Sequence, residues 1–169
     1  MQEITLDCNE IVSKRYPDND YGGNWLVPLK KIFNSQINTL RIGKSVTHIG
    51  DYAFKDFSDL TSVIFLNSTI SFSYLAFAGC LGLLSSPLYS ATCFAYLPRT
   101  YEGEYTIPSG ITTVSYGAFS GCSGLTSVLI PSSVKSIGYE AFKGCSALTS
   151  VIIPDSVVTL ENYAFSICI

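Results

Sequence analysis

Charge is scarce in this chain. Asp, Glu, Lys and Arg make up 14% of 169 residues, and the net charge is −3. No basic stripe exists, which argues against nucleic acid or an anionic membrane surface as a partner. Histidine occurs once, at His48, and no CxxC pair is present, which argues against a metal centre. No segment approaches the roughly 18 consecutive apolar residues of a membrane-spanning helix. The opening MQEITLDCNE lacks a basic stretch followed by an apolar run, so it does not read as a signal peptide. A Gly-rich phosphate loop and a nucleophile elbow are both missing. Glu102 and Glu104 form the nearest carboxylate pair, but paired acid chemistry needs a cleft between two groups on different elements. His48 lies at a variable position between Val46 and Ile49 and reads as exposed. These absences point away from an enzyme and imply no cofactor.

What is present is apolar and periodic. Residues of the hydrophobic class make up 47% of the chain, which excludes a disordered segment. An Ala-Phe pair recurs at Ala53-Phe54, Ala76-Phe77, Ala118-Phe119, Ala141-Phe142 and Ala164-Phe165, with spacings of 23, 42, 23 and 23 residues. A fixed period of this size is the mark of a solenoid, in which each coil buries its apolar side only by stacking on its neighbours. Cysteine follows the same period. Of Cys8, Cys80, Cys93, Cys122, Cys145 and Cys168, four share one repeat position, so they read as buried free thiols packing as small apolar groups.

The units run 1–36, 37–59, 60–82, 83–101, 102–124, 125–147 and 148–169. The clearest copy, LTSVLIPSSVKSIGYEAFKGCSA, begins at Leu125. Val128 and Ile130 alternate at period two, as do Val151 and Ile153, which predicts a short half-buried strand per coil. Stacked coils set these strands parallel, about 4.8 Å apart. Pro108, Pro131 and Pro154 end the strands. A second apolar pair follows, as in Val134 and Ile137, and Gly50 and Gly138 then turn the chain. The Ala-Phe pair is expected on a short helical turn, with its Phe column forming an aromatic spine. The expected fold is therefore a repeat solenoid, α/β to mainly β.

The pattern L-x-x-V-x-I-P-x-x-V-x-x-I-G-x-x-A-F-x-x-C resembles the BspA-type, or Treponema pallidum type, leucine-rich repeat. About two-thirds of the chain matches as regular units. The resemblance implies a right-handed leucine-rich coil with a short parallel concave sheet. It also implies a secreted or surface-attached protein of a host-associated bacterium, used in adhesion or protein binding. A host matrix protein or another surface protein is the partner it suggests. The usual Asn ladder is replaced by Ser45, Ser68, Ser133 and Ser156, with Gly110 in one coil, and Phe57 replaces the column Cys in another.

The chain reads as one solenoid, 1–169. It has an irregular coil with a loop at 1–36 and two regular repeats at 37–82. An irregular aromatic-rich unit follows at 83–101, then three regular repeats at 102–169, the last truncated. In the N-terminal coil, SKRYPDNDYGGNW reads as a loop and LVPLKKIFNSQ as a short helical segment. Asp18-Asn19-Asp20-Tyr21-Gly22-Gly23 faintly resembles a calcium loop but has Leu29 where the last carboxylate belongs. Asn67-Ser68-Thr69 is a glycosylation sequon, meaningful only in a eukaryotic secretory setting.

Three surfaces are candidates for recognition. On the strand face, Arg41, Ile64, Thr106, Leu129 and Ile152 point outward, with Thr39, Ser62, Glu104, Ser127 and Ser150 beside them. Apolar residues in a row with a hydroxyl rim suggest a protein-binding strip, although β-branched residues favour strands in any case. Tyr89, Phe94, Tyr96 and Tyr101 crowd the irregular unit and form an aromatic patch, either a glycan platform or rings that seal a defective coil. A tyrosine column (Tyr74, Tyr116 and Tyr139, with Tyr52 and Tyr163 one position later) reads mainly as surface packing. The last coil, ending at Ser166-Ile167-Cys168-Ile169, shows no polar cap. Either the chain is a piece of a longer array or this coil pairs with another chain edge to edge. A plain structural spacer is the alternative to any binding role.

Overall fold

The structure is a computed structural model that describes residues 2–8, 10–11, 14–15, 26–27, 37–73, 75–83 and 86–168. The calcium-like stretch, most of the N-terminal loop and Tyr74 lie outside the described residues. Of the segment read as helical after residue 25, only Leu26–Val27 is described, and it is a strand.

The first eight strands are β1 (Gln2–Leu6), β2 (Glu10–Ile11), β3 (Lys14–Arg15), β4 (Leu26–Val27), β5 (Ile37–Ile42), β6 (His48–Ile49), β7 (Ser62–Phe65) and β8 (Ser71–Phe72). Then come β9 (Leu88–Tyr89), β10 (Cys93–Tyr96), β11 (Glu102–Thr106), β12 (Thr113–Val114), β13 (Gly124–Leu129), β14 (Ser136–Ile137), β15 (Ser150–Ile152) and β16 (Thr159–Leu160). The chain divides into two compact units. One comprises Met1–Asn67 with Phe72–Leu83, the other Ser68–Ser71 with Leu84–Ile169.

In the first unit β1, β5 and β7 form a parallel sheet in that order, and β3 pairs antiparallel with β4. In the second, β11, β13 and β15 form a parallel sheet. A second sheet runs β16-β14-β12-β10-β9, parallel except for the β9–β10 pair. Each regular coil therefore contributes one strand to each sheet, and the coils stack as a β-solenoid within each unit. Leu125, Val128 and Ile130 are buried, as are Val134 and Ile137, so the period-two alternation aims these residues inward as expected.

The expected helical turns are corrected. No helix exists among the described residues, and the fold is all-β. The reason lies in the backbone around each Ala-Phe pair. The residue two before Phe is left-handed in all five copies: Tyr52, Leu75, Gly117, Glu140 and Tyr163, with φ of 52, 46, 64, 53 and 58°. The residue two after Phe is left-handed as well: Asp56, Gly79, Gly121, Gly144 and Ile167, with φ of 62, 75, 80, 73 and 58°. A right-handed helix cannot propagate through either position. The amide that would bond back along a helix turns to the next coil instead. Phe54 N–H donates to Ala76 O at 2.8 Å, and Phe119 and Phe142 N–H donate to Ala141 O and Ala164 O at 2.7 Å.

The Phe column is an aromatic spine. Phe54 and Phe77 stack at 5.3 Å in the first unit. In the second, Phe119 lies 4.6 Å from Phe142 and Phe142 lies 4.9 Å from Phe165, with nearly parallel rings. The 42-residue gap in the Ala-Phe spacing hides a further member. Phe94 is fully buried and stacks on Phe119 at 4.7 Å. The matching backbone bond comes from Leu97, whose N–H donates to Ala118 O at 2.8 Å. The irregular coil thus splits ring and backbone between Phe94 and Leu97, which the Ala-Phe signature could not reveal.

The column cysteines are free thiols. Each donates to a carbonyl one coil back: Cys80 to Phe54 O at 3.0 Å, Cys145 to Phe119 O at 3.1 Å and Cys168 to Phe142 O at 3.0 Å. The same Phe119 and Phe142 carbonyls also accept N–H from Cys122 and Cys145, so the thiol fills a second lone pair on a buried acceptor. Burial pushes the Cys122 and Cys145 thiols up to about 12. The serine column bonds backbone more sparsely, as in Ser156 Oγ to Val134 O at 2.9 Å. The sequon residue Asn67 uses its amide on Val46 O at 2.7 Å. His48 is half-buried rather than exposed, with Nε2 3.1 Å from Ser73 Oγ.

Candidate functional site

Strand pairing places the outward residues of each sheet in columns. In the first unit, β5 and β7 set Thr39 beside Ser62 and Arg41 beside Ile64. All four are half-buried, and Arg41 is ion-paired with Glu3 on β1. In the second unit, Glu104, Ser127 and Ser150 align in one column and Thr106, Leu129 and Ile152 in the next. Here the apolar column stands in solvent, with Leu129 60% and Ile152 82% exposed. Parallel pairing brings their side chains one strand spacing apart, about 4.8 Å. The inward neighbours Tyr105, Val128 and Val151 pack against the core beneath, so the outward column rests on a fixed floor.

The aromatic-rich unit is arranged differently. Phe94 and Tyr96 are buried, Tyr101 is half-buried and Tyr89 is exposed. Tyr89 stacks over Phe94 at 5.9 Å, and Tyr105 meets both Phe94 and Tyr101 edge-on at 5.5 and 5.4 Å. The Tyr101 hydroxyl donates to Glu104 O at 2.6 Å. These rings close the coil over the spine, and of the four only Tyr89 and Tyr101 reach solvent. Burial, reinforced by the neighbouring Tyr89 and Tyr101, pushes the Tyr105 phenol up to about 12.

The tyrosine column forms a row of edge-to-face contacts. Tyr116 lies 6.5 Å from Tyr139, and Tyr139 lies 5.7 Å from Tyr163. In the first unit Lys55 sits over the Tyr52 ring at 5.1 Å. The row packs along the turn while its outer rings stay partly wet. Glu102 and Glu104 are exposed on one strand, with no cleft between them. Among the described residues, no group of three or more His, Cys, Asp or Glu could hold a metal ion. No helix among them is long and apolar enough to cross a membrane.

The coil geometry, with its 23-residue period, inward Leu-x-x-Val-x-Ile strand and buried Ala-Phe turn, agrees with a family comparison. The model of the BspA type leucine-rich repeat region matches residues 30–96 and 89–169. The chain belongs to the BspA-type leucine-rich repeat family. No curated protein sequence matches it. Among solved structures, this BspA-type chain is similar to a leucine-rich cell surface protein from Faecalibacterium prausnitzii A2-165. Identity is 26% and the TM-score 0.53, over 99% of this chain and 47% of the other. A leucine-rich repeat protein from Bacteroides ovatus matches at 22% identity and TM-score 0.51, over 97% of this chain and 43% of the other. One from Eubacterium ventriosum matches at 22% identity and TM-score 0.50, over 78% and 52%. The last two likenesses are of fold alone. The chain spans about half the length of these relatives.

Proposed function

We propose that the chain is a non-catalytic protein-binding or adhesion module of a secreted or cell-surface bacterial protein. The observation that carries this reading is the exposed apolar column Leu129 and Ile152, in register on adjacent strands and flanked by Ser127 and Ser150. Large apolar side chains held in solvent on a rigid sheet lose little conformational freedom on binding, and a hydroxyl rim can complete a partner's hydrogen bonds. The first unit adds a smaller, half-buried strip at Thr39, Arg41, Ser62 and Ile64. Surface location is supported by the family and by the Faecalibacterium relative, which is a cell surface protein.

The partner we propose is a host extracellular matrix protein or another surface protein. Binding of the chain to immobilised matrix proteins tests this, beside a variant carrying Arg41→Ala, Ile64→Ser, Leu129→Ser and Ile152→Ser together. Loss of binding with an unchanged unfolding midpoint supports the strip. Full binding by the variant moves the site elsewhere, and no binding by either chain leaves the spacer role. Self-association through the C-terminal coil is a second part of the reading. The oligomeric state of the chain in sedimentation velocity tests it.

A further inference from the structure

The strand face of the second unit carries charge of one sign. On β11, Glu102, Glu104 and Thr106 are exposed while Gly103 and Tyr105 between them are half-buried. Those two carboxylates are the only charged side chains on β11, β13 and β15. Among the described residues, neither is in an ion pair. The first unit differs. There Glu3 on β1 is ion-paired with Arg41 on β5, and β7 adds no charge, so acid and base cancel on that sheet.

Beside the two acids stands the apolar column. β13 lies between β11 and β15, so the 60% exposure of Leu129 belongs to an interior strand and owes nothing to a sheet edge. Glu104 aligns with Ser127, and Leu129 lies two residues further along β13. Strand spacing and rise put the Cα atoms of Glu104 and Leu129 about 8 Å apart, and those of Glu102 and Glu104 about 7 Å apart. The two carboxylates are within a Debye length of each other at physiological salt, so one cation between them feels both. Their strand is held in place from below. The Tyr101 hydroxyl donates to Glu104 O at 2.6 Å, and Tyr105 packs against the core.

We infer that this face docks an extended polypeptide segment in which a Lys or Arg stands two residues from a large apolar side chain. The inference rests on the protein-binding reading above and names the chemistry of the partner. In an extended segment, side chains two residues apart share one face and lie about 7 Å apart. That spacing lets the basic group reach Glu102 and Glu104 while its apolar neighbour covers Leu129. The aliphatic stem of the Lys or Arg adds apolar contact of its own. An acidic segment would set like charges against the carboxylates, and a purely polar one would leave Leu129 wet. The first unit's sheet, with its acid already paired, offers such a segment no net charge.

Fluorescence anisotropy tests this with the full chain and three labelled peptides of equal length, built from Lys-Thr-Leu-Thr, Glu-Thr-Leu-Thr or Lys-Thr-Ser-Thr repeats. The Lys-Leu peptide is expected to bind, less tightly as salt rises, and the other two to bind about tenfold more weakly or worse. Glu102→Gln/Glu104→Gln weakens the Lys-Leu complex about tenfold and flattens its salt dependence. Leu129→Ser weakens it as well. Asp155→Asn/Glu161→Gln, which removes two acids outside this sheet, leaves it unchanged. Equal binding of the Glu-Leu peptide, or equal losses from the two acid-removing variants, overturns the inference, and the strip reading survives if Leu129→Ser still weakens binding. A Lys-Ser peptide that binds as tightly as Lys-Leu overturns it too, because the apolar contact is then idle. Binding by none of the peptides also overturns it, while the matrix-protein assay above decides the strip separately.

Discussion

Phe142 is the ring whose removal tests the spine. It is fully buried and lies between Phe119 and Phe165, with nearly parallel centroids at 4.6 and 4.9 Å. Truncating a buried Phe to Ala costs about 3–5 kcal/mol through lost transfer energy and the cavity left behind. Each stacked aromatic pair adds about 0.5–1.5 kcal/mol. The cavity cannot collapse easily, because the turn that carries Phe142 is pinned to the next coil by three backbone bonds. Phe142→Ala is therefore expected to cost about 4–5 kcal/mol, the upper half of the range. Phe165 is half-buried and stacks on one side only, so Phe165→Ala is expected to cost about 2 kcal/mol. Urea unfolding followed by far-UV circular dichroism measures both, with the slope compared to confirm that only stability has changed. Equal costs for the two variants, or less than about 2 kcal/mol for Phe142→Ala, would refute the view that the ring stack supplies the core of each coil.

Other consequences are simpler to measure. Ile167 is β-branched, 69% exposed and held at φ 58°, so Ile167→Gly relieves strain without losing packing and is expected to raise stability by about 0.5–1 kcal/mol in the same assay. Gly138→Ala is expected to cost about 1–3 kcal/mol, because its new methyl would lie 2.8 Å from the Tyr116 backbone nitrogen and 2.5 Å from the Tyr116 ring. Burial raises the Cys122 and Cys145 thiols from 9.0 to about 12, so the unfolded chain ionises first. Their contribution to stability is complete below pH 9 and is lost as pH rises toward 12. The urea midpoint should then be flat from pH 7 to about 8.5 and fall by pH 10. A Cys122→Ala/Cys145→Ala chain should show a shallower fall, and an identical fall would assign the effect to other groups such as Tyr105. In the native chain, exposed Cys8 should react with a thiol reagent at pH 8 while Cys122 and Cys145 react only on unfolding.

Much of the coil could be read from the chain. Period two in Val128 and Ile130 aimed them inward, and the parallel register of Ser127 with Ser150 and Leu129 with Ile152 followed from the 23-residue spacing. Three of the four column cysteines, Cys80, Cys122 and Cys145, read correctly as buried thiols while Cys168 is half-buried, and the thiol bonds to backbone carbonyls one coil back had no sequence signal. The helical turn was misread because left-handed backbone is easily foreseen only at glycine. Six of the ten left-handed turn positions carry Tyr, Leu, Glu, Asp or Ile instead. The aromatic cluster of the irregular unit was equally opaque. Composition marks Tyr89, Phe94, Tyr96 and Tyr101 alike, whereas stacking on Phe119 draws Phe94 into the core and leaves Tyr89 outside.

The sequence by itself determined the period, the inward columns and the family, because each coil repeats a local pattern whose apolar side can be buried only by another copy. Only the tertiary structure decided the conformation of the turn, the ring that completes the irregular coil and the direction of the bonds between coils. Those depend on amides and side chains about 23 residues apart meeting across a coil interface. Where a neighbouring coil can satisfy a peptide N–H, the backbone takes up local strain to reach it, and no local propensity records that choice.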